Sequence, residues 1–411
     1  MKFPEEAIDT EKNRQKLLEI LKSEACDNCL GRQFGMLGHG LSNAERGKIL
    51  SKIAGKITKS KLKEPKVCKI CGNFFKEKIN EVASDINKSF RGIEFKTFLI
   101  GTVLSGELIR KQEELWERTG IEDVEPIKTE INRELGKIVE RKTDKNFDVK
   151  NPDVTILVNL QTGKIKLNIR SLCIYGGYSK LVRGIPQTMW VCSNCGGKGC
   201  VVCKGTGKLY PTSVQEIIEK PFLKAAKAKA SSFHGAGRED IDARNLDYRP
   251  FVIEILQPKK RKIDLRKIER QINKSRKVKV RGLKFVGKEL IEKLKKAKID
   301  KTYEAVVEFE KAIDKKKLAE VRRLPGTTIH QQTPTRVAHR RADILRKRAV
   351  RKISWKLKGK RKIVFKIRAE SGLYIKELIT GDEGRTRPSI AEILANKVKT
   401  INLDVVKIHT K

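Results

Sequence analysis

Eight of the nine cysteines in this 411-residue chain fall into four Cys-x-x-Cys pairs, and no other feature restricts the fold as strongly. Cys26 and Cys29 stand in "ACDNCLGR", and Cys68 and Cys71 follow in "VCKICGNF" after 38 intervening residues. Cys192, Cys195, Cys200 and Cys203 lie together in "CSNCGGKGCVVCKGTGK". A pair at this spacing gives one tetrahedral zinc two thiolates, so four sulfurs fill a site and leave no open position for catalysis. The first four are expected to close a long loop on a structural Zn2+, contributing on the order of 10 kcal/mol to folding. The tighter set reads as a second zinc knuckle, its glycines allowing sharp turns beneath the sulfurs and leaving backbone N–H groups free to face them. With four residues between its pairs, one shared metal fits better than two half-sites or a redox dithiol. Cys173, the ninth, is expected to be a small core residue.

The tandem knuckle also resembles the zinc modules of DnaJ-type co-chaperones, so the cysteines alone carry no activity. Charge narrows the partner. Lys and Arg number 92 against 50 acids, a net +42, which draws a polyanion and holds it through phosphate contacts. Surfaces of heat-adapted proteins raise Lys and Glu together, so the one-sided excess points to nucleic acid instead. The start, "MKFPEEAIDTEKNRQ", carries no apolar leader and no stretch approaches a membrane span, so the expected location is cytoplasmic.

Three regions are expected: a zinc-binding segment over 1–74, a small α/β module over 75–184, and a larger α+β domain over 185–411 that carries the Cys-rich knuckle at 192–207. In the second, "FKEKINEVASDINKS" and "VEPIKTEINRELGKIVERKT" have helical spacing, "FKTFLIGTVL" reads as a strand, and "DVTILVNLQTGKIKLNIRSLCIYGGY" reads as a hairpin turning at Thr162 and Gly163. In the third, "SVQEIIEKPFLKAAKAKASSF" opens with a capping box, Ser213 and Glu216, and is expected to stay helical into the glycines that follow. The strands "RPFVIEIL", "KTYEAVVEFE", "KIVFKIRAE" and "INLDVVKIHT" lack a βαβ rhythm and imply a mainly antiparallel sheet. Residues 259–301 hold 19 basic residues against 5 acids, yet keep apolar spacing, so they are expected to fold as a basic surface. In "QQTPTRVAHRRADILRKRAVRKI" a helix is expected after Thr333, burying Val337, Ile344 and Leu345 and offering Arg336, Arg340, Arg341, Arg346 and Lys347 to phosphates.

The stretch "FHGAGREDIDAR" puts three acids behind a Gly-x-Gly. As a dinucleotide loop it fails, because Asp240 stands where a third glycine belongs and a helix is expected before the motif instead of a strand. The glycines instead allow a sharp turn, with Arg238 and Asp240 projecting together toward a substrate. Glu239 and Asp242 read as structural or solvent-facing, and the five histidines form no metal pattern.

Four segments in this order then resemble a known family. "GRED" resembles the Gly-Arg-x-Asp segment of pseudouridine synthases; "KTYEAVVEF" is similar to their tyrosine-bearing strand; "ESGLYIKELITGDEGRTRPS" is similar to their Gly-x-Tyr-Ile-(Arg/Lys)-x-Leu motif. The 75–184 module resembles the THUMP domain of RNA-modifying enzymes. With "CDNCLGRQFG" and "QQTPTRVAHRRADILRKR", nearly the whole chain resembles the archaeal tRNA pseudouridine(54/55) synthases, a THUMP-bearing half joined to a pseudouridine synthase domain.

The resemblance implies an isomerase of tRNA, acting on uridines 54 and 55 of the T-loop without an organic cofactor and as a monomer. It implies Asp240 as catalytic group, adding to the sugar or drawing a proton to give a glycal. Lys376 would pair with Asp240 and favour its charged form; lysine replaces the arginine of many relatives. Tyr303 would stack on the uracil, Ile375 would close the apolar side, Arg238 would prop the stack left by the extruded base, and Arg336, Arg340 and Arg341 would bind phosphates. A zinc-containing RNA-binding protein without catalysis is the competing reading. A THUMP-bearing methyltransferase or thiolation enzyme is disfavoured by the lack of a glycine-rich cofactor loop after a strand and of a Ser-Gly-Gly loop.

Overall fold

The computed structural model describes residues 8, 10–37, 40–339 and 341–410, which divide into two units at Arg170 and Ser171. The first carries helices α1 (Glu11–Leu21), α2 (Asp27–Gly31), α3 (Asn43–Thr58) and α4 (Ile79–Ser89), then strand β1 (Thr97–Val103), α5 (Gly106–Thr119), α6 (Ile127–Lys142), β2 (Asn146–Phe147), β3 (Val154–Asn159) and β4 (Ile165–Ile169). Its sheet runs β2-β1-β3-β4, with β1 parallel to β2 and β3 and the hairpin β3–β4 antiparallel. Alternation along β3 turns Val154, Ile156 and Val158 inward, where they meet Ile131, Leu135 and Val139 of α6 in a single core that also holds Cys26, Cys29, Cys68 and Cys71. Helix α5 adds an element beyond those the sequence pattern predicts; Ser105 caps it and Leu115 is buried.

The second unit contains β5 (Leu172–Lys180), α7 (Val214–Ala226), β6 (Ala230–Gly235), β7 (Arg244–Leu256), α8 (Leu265–Ile272), β8 (Val278–Val286), α9 (Glu289–Lys296), β9 (Lys301–Phe309), α10 (Lys315–Glu320), β10 (Thr328–Gln331), α11 (Thr335–Ala338), β11 (Arg346–Leu357), β12 (Lys362–Ala369), α12 (Ile375–Thr380), β13 (Thr386–Arg387), α13 (Ile390–Leu394) and β14 (Val398–Ile408). Nine strands follow the order β13-β10-β11-β12-β9-β14-β7-β5-β8, with β6 on β7. The sheet is mainly antiparallel, with one parallel pairing, β7 against β14. The basic stretch 259–301 folds as α8, β8 and α9.

Three expectations change. Strand β5 pairs with β7 and β8, so the boundary expected after residue 184 falls after Arg170, and the 1–74 segment shares one core with the residues that follow it. Helix α7 ends at Ala226, where Lys227 turns left-handed with φ 49°, and residues 230–235 pair with β7 as a strand. The helix expected after Thr333 spans only Thr335–Ala338; Ile344 and Leu345 are about half exposed (52% and 53%), and Arg346 begins β11. Arginine-rich sequence with β-branched residues, "RKRAVRKISW", takes the strand because β10 and β12 offer it partners on both sides.

Candidate functional site

The loop between β6 and β7 carries Asp240 into a cleft of about 880 Å³. Gly237 has φ +73°, a conformation costly for residues with a Cβ, and a Cβ at Gly235 would meet the Gln187 amide at 2.7 Å. The glycines thus make a tight turn whose Gly237 carbonyl accepts a bond from Gln187 Nε2 at 2.9 Å. A strand precedes this turn, contrary to the sequence expectation, but a second strand follows it where a dinucleotide site needs a helix N-terminus.

Two cations approach the Asp240 carboxylate, and each is shared with a second acid. Arg336, from α11, donates from Nη1 to Asp240 Oδ1 at 3.0 Å and from Nε to Glu377 Oε1 at 2.6 Å. Lys376, on the first turn of α12, lies 3.6 Å from Asp240 Oδ2 and donates to both oxygens of Asp242 at 2.7 and 2.6 Å. Burial works against the Arg336 charge, but Glu377 and Asp240 outweigh it and hold its pKa above the usual value. Burial also works against the Asp242 charge, but the bond and charge of Lys376 outweigh it and keep that carboxyl below the usual range.

Beneath this surface lies a buried layer. Glu239, wholly withdrawn from solvent, faces Arg249 at 3.1 Å and accepts from the Tyr178 hydroxyl at 2.9 Å. Lys180 donates to the Asp240 carbonyl at 2.9 Å and the Ile241 carbonyl at 3.2 Å, fixing the backbone on which Asp240 stands. Tyr178 in turn packs edge-on against Phe233 and Phe251.

Tyr303 of β9, Ile375 at the start of α12 and Arg238 line the same cleft as Asp240 and Lys376. Burial pushes the Tyr303 hydroxyl up to about 12, so it stays neutral. Ile375 is 3% exposed and packs into the core of the α12 side. Arg341 donates to the Tyr374 hydroxyl at 2.6 Å, while Arg336 and Arg346 each lie 5.8 Å from the Tyr374 ring. Arg336, expected at phosphate, bonds two carboxylates through Nη1 and Nε in this structure. Arg340 lies outside the described residues. Arg336 as the direct partner of Asp240, Asp242 as the partner of Lys376, and Glu377 were all missed from sequence; an acid such as Glu377 on the buried side of a helix is the signal that could have found the last.

The two cysteine sets each bring four Sγ atoms within 4.8 Å of one another. Cys26 and Cys71 sulfurs are 3.7 Å apart; in the second set Cys192 and Cys200 are 3.9 Å apart and Cys195 and Cys203 are 3.8 Å apart. A tetrahedron with bonds of about 2.3 Å has edges of about 3.8 Å, whereas a disulfide needs about 2.05 Å, so both sets fit a four-thiolate metal. N–H groups of Cys26 and Cys71 point to Cys68 Sγ at 3.3 and 3.5 Å, and those of Gly199 and Gly207 to Cys195 and Cys203 at 3.2 and 3.1 Å. Such donors stabilise clustered thiolate charge. Cys173 stands apart from both, buried on β5.

The sequence matches two family models, described as "Pus10, C-terminal" over residues 173–409 and "Pus10 THUMP domain, archaeal" over 82–159. Among similar curated proteins, one from Methanothrix thermoacetophila is 41% identical across 93% of this chain and 91% of its own length. One from Methanocaldococcus jannaschii is 42% identical across 95% and 93%, and one from Pyrococcus furiosus 37% identical across 96% and 97%. Each is named tRNA pseudouridine synthase Pus10. Among the described residues no helix is long and apolar enough to cross a membrane.

Proposed function

The chain belongs to the Pus10 family of tRNA pseudouridine synthases, and on that premise we propose that it isomerises uridines 54 and 55 of the tRNA T-loop, with Asp240 as the catalytic group. The observation that carries this reading is the Asp240 carboxylate in a cleft that Tyr303 also lines, held by Arg336 at 3.0 Å with Lys376 at 3.6 Å.

The reaction breaks the C1′–N1 bond of uridine with the electron pair leaving on the base, turns the base, and joins C5 to C1′. The proton on C5 is lost and N1 gains one, so nothing is oxidised and no organic cofactor is required. Asp240 acts on the ribose, either by adding to C1′ or by drawing the 2′ proton to give a glycal. The paired cations fix the carboxylate's direction, so little reorganisation is needed when substrate arrives. The Tyr303 ring offers a stacking face for the uracil, and Ile375 supplies an apolar wall. Arg238 takes the place of the base extruded from the T-loop, an extrusion that costs about a few kcal/mol.

Arg341 and Arg346, around Tyr374 at the rim of the cleft, meet the RNA backbone, and the net charge of +42 makes binding strongly dependent on salt. Each cysteine set holds a structural Zn2+, by Cys26, Cys29, Cys68 and Cys71 and by Cys192, Cys195, Cys200 and Cys203. The enzyme works as a monomer. The test is to incubate it with an unmodified tRNA transcript and map pseudouridine. Wild type forms it at 54 and 55 without added cofactor and Asp240→Asn does not; equal product from both removes Asp240 from the chemistry.

A further inference from the structure

Strand β9 contains a lysine that its own pattern does not predict. Residues 303, 305, 307 and 309 share one face with 301, and Ala305, Val307 and Phe309 are fully buried core residues on it. At the cleft end of that face Tyr303 comes first and Lys301 next, only 7% exposed. An aliphatic side chain would serve packing at such a position, and a buried ammonium is costly unless its charge is used.

The Lys301 charge makes no ion pair among the described residues. Its Nζ donates to the Ile299 carbonyl at 2.9 Å. The adjacent Asp300 is taken by Arg368 of β12 at 3.4 Å and Arg351 of β11 at 3.8 Å. The nearest cation from β7, Arg249, is compensated by Glu239 at 3.1 Å. A Cβ on Gly237 would stand 3.9 Å from Lys301 Nζ, so the bare glycine turn leaves that ammonium open to the space beside the Asp240 loop.

We propose that Lys301 is a further catalytic residue, donating from Nζ to a carbonyl of the uracil and stabilising the negative charge the base carries between loss of C1′–N1 and formation of C5–C1′. This inference rests on the isomerase reading with Asp240. Two residues along a strand are about 6.6 Å apart, so Lys301 and Tyr303 leave one face of β9 as neighbours, and a base stacked on the ring would bring its carbonyls to that neighbourhood. A uracil detached from ribose is an anion, and a fixed charge in a water-poor cleft stabilises it without reorganisation. The other titratable and charged groups around the position are Asp300 before β9, Arg249 on β7, Arg368 on β12, and His409 after β14. Asp240, His234 and Lys295 line the same cleft, as do Arg238, Glu239, Asp242, Arg336 and Lys376. Burial, helped by the Arg249 charge and opposed by Asp300, lowers Lys301 to about 8. The charge is thus mostly present at neutral pH and fades above it.

The experiment compares wild type, Lys301→Met, Lys301→Arg and Asp240→Asn for tRNA affinity by filter binding, single-turnover pseudouridine formation from pH 6 to 9.5, and thermal unfolding. Lys301→Met is expected to bind tRNA within about threefold of wild type yet react about 10²-fold more slowly. Lys301→Arg is expected to recover most of that loss and to move the alkaline fall in rate upward. A wild-type rate in Lys301→Met overturns the proposal, and so does an equal loss in Lys301→Met and Lys301→Arg with both folded. If Lys301→Met does not fold, Lys301→Arg decides by its alkaline limb, an unmoved limb overturning the proposal. Activity in Asp240→Asn would instead sink the reading on which the proposal rests.

Discussion

Arg336 makes the direct hydrogen bond to Asp240, at 3.0 Å, while Lys376 stands 3.6 Å from the same carboxylate and bonds to Asp242 at 2.6 Å. The two cations are therefore not equivalent. Arg336 bridges two acids with a planar fork, which an ammonium cannot reproduce. We expect Arg336→Lys to slow single-turnover isomerisation about 10- to 100-fold with the charge retained. Asp242→Asn, 64% exposed in its side chain, should stay within about threefold, because freed Lys376 can still reach Asp240. A larger loss in Asp242→Asn than in Arg336→Lys would reverse this ranking.

Removal of the Asp240 carboxylate itself should be far more severe. Asp240→Asn keeps size and can still accept from Arg336, so its fold and tRNA affinity should match wild type. Its rate should fall on the order of 10⁴-fold, as when an enzyme loses its central group. Parallel binding and single-turnover measurements separate the two effects.

The Glu239–Arg249 pair, 0% and 1% exposed, predicts a stability effect of a different kind. Lys180 Nζ lies 3.9 Å from the other Glu239 oxygen, so one acid compensates two buried cations, and burial drives Lys180 below the usual lysine pKa against the pull of Glu239. Glu239→Gln should lower unfolding free energy by about 3–5 kcal/mol. Adding Arg249→Met should recover part of it. Denaturant unfolding of both variants checks this, and a loss in the double variant as large as in the single one would show that the charge imbalance is not the cause.

How far the sequence could be read follows from how closely a pattern fixes its own partners. Paired thiolates specify a shared metal even across the 38 residues between Cys29 and Cys68, and both sets assemble. Asp240, Tyr303 and Lys376, singled out by motifs in order along the chain, line one cleft. The fate of Arg336 was not readable, since its partners lie 96 and 41 residues away and an arginine-rich run looks the same whether it faces phosphate or carboxylate. Likewise "KASSFHG" continues a helical composition, and only pairing with β7 decides that residues 230–235 become a strand.

Metal content gives the next test. Elemental analysis of the purified chain should show about two zinc per molecule. Cys29→Ser should remove one and destabilise the first unit, whose core includes that sulfur, fully buried. Cys195→Ser should remove the other and leave the first unit's unfolding unchanged, since Cys195 is partly exposed and outside the hydrophobic clusters of the described residues. Retention of both metals in either variant would contradict the assignment of four thiolates per ion.

The pH dependence of the first unit turns on Glu130 in α6. Burial pushes its carboxyl from 4.5 up to about 7; the bond from Asn28 at 3.0 Å and the charge of Arg32 pull the other way, and Glu125 adds to the rise. Between those values the folded chain holds a proton that the unfolded chain has released. Stability from this group is therefore full below about pH 4.5, falls as pH rises through the window, and levels off above about 7. The whole effect is about 3 kcal/mol, of which about 2 kcal/mol lies between pH 5.5 and 8. Glu130→Gln keeps an acceptor for Asn28 and has no proton to lose. Relative to wild type it should thus gain about 2 kcal/mol of unfolding free energy on going from pH 5.5 to 8. Denaturant unfolding at both pH values in zinc-containing buffer measures the difference. Parallel pH profiles for the two proteins would mean that Arg32, whose guanidinium is fully buried without a hydrogen-bond partner, holds Glu130 ionised in the folded chain.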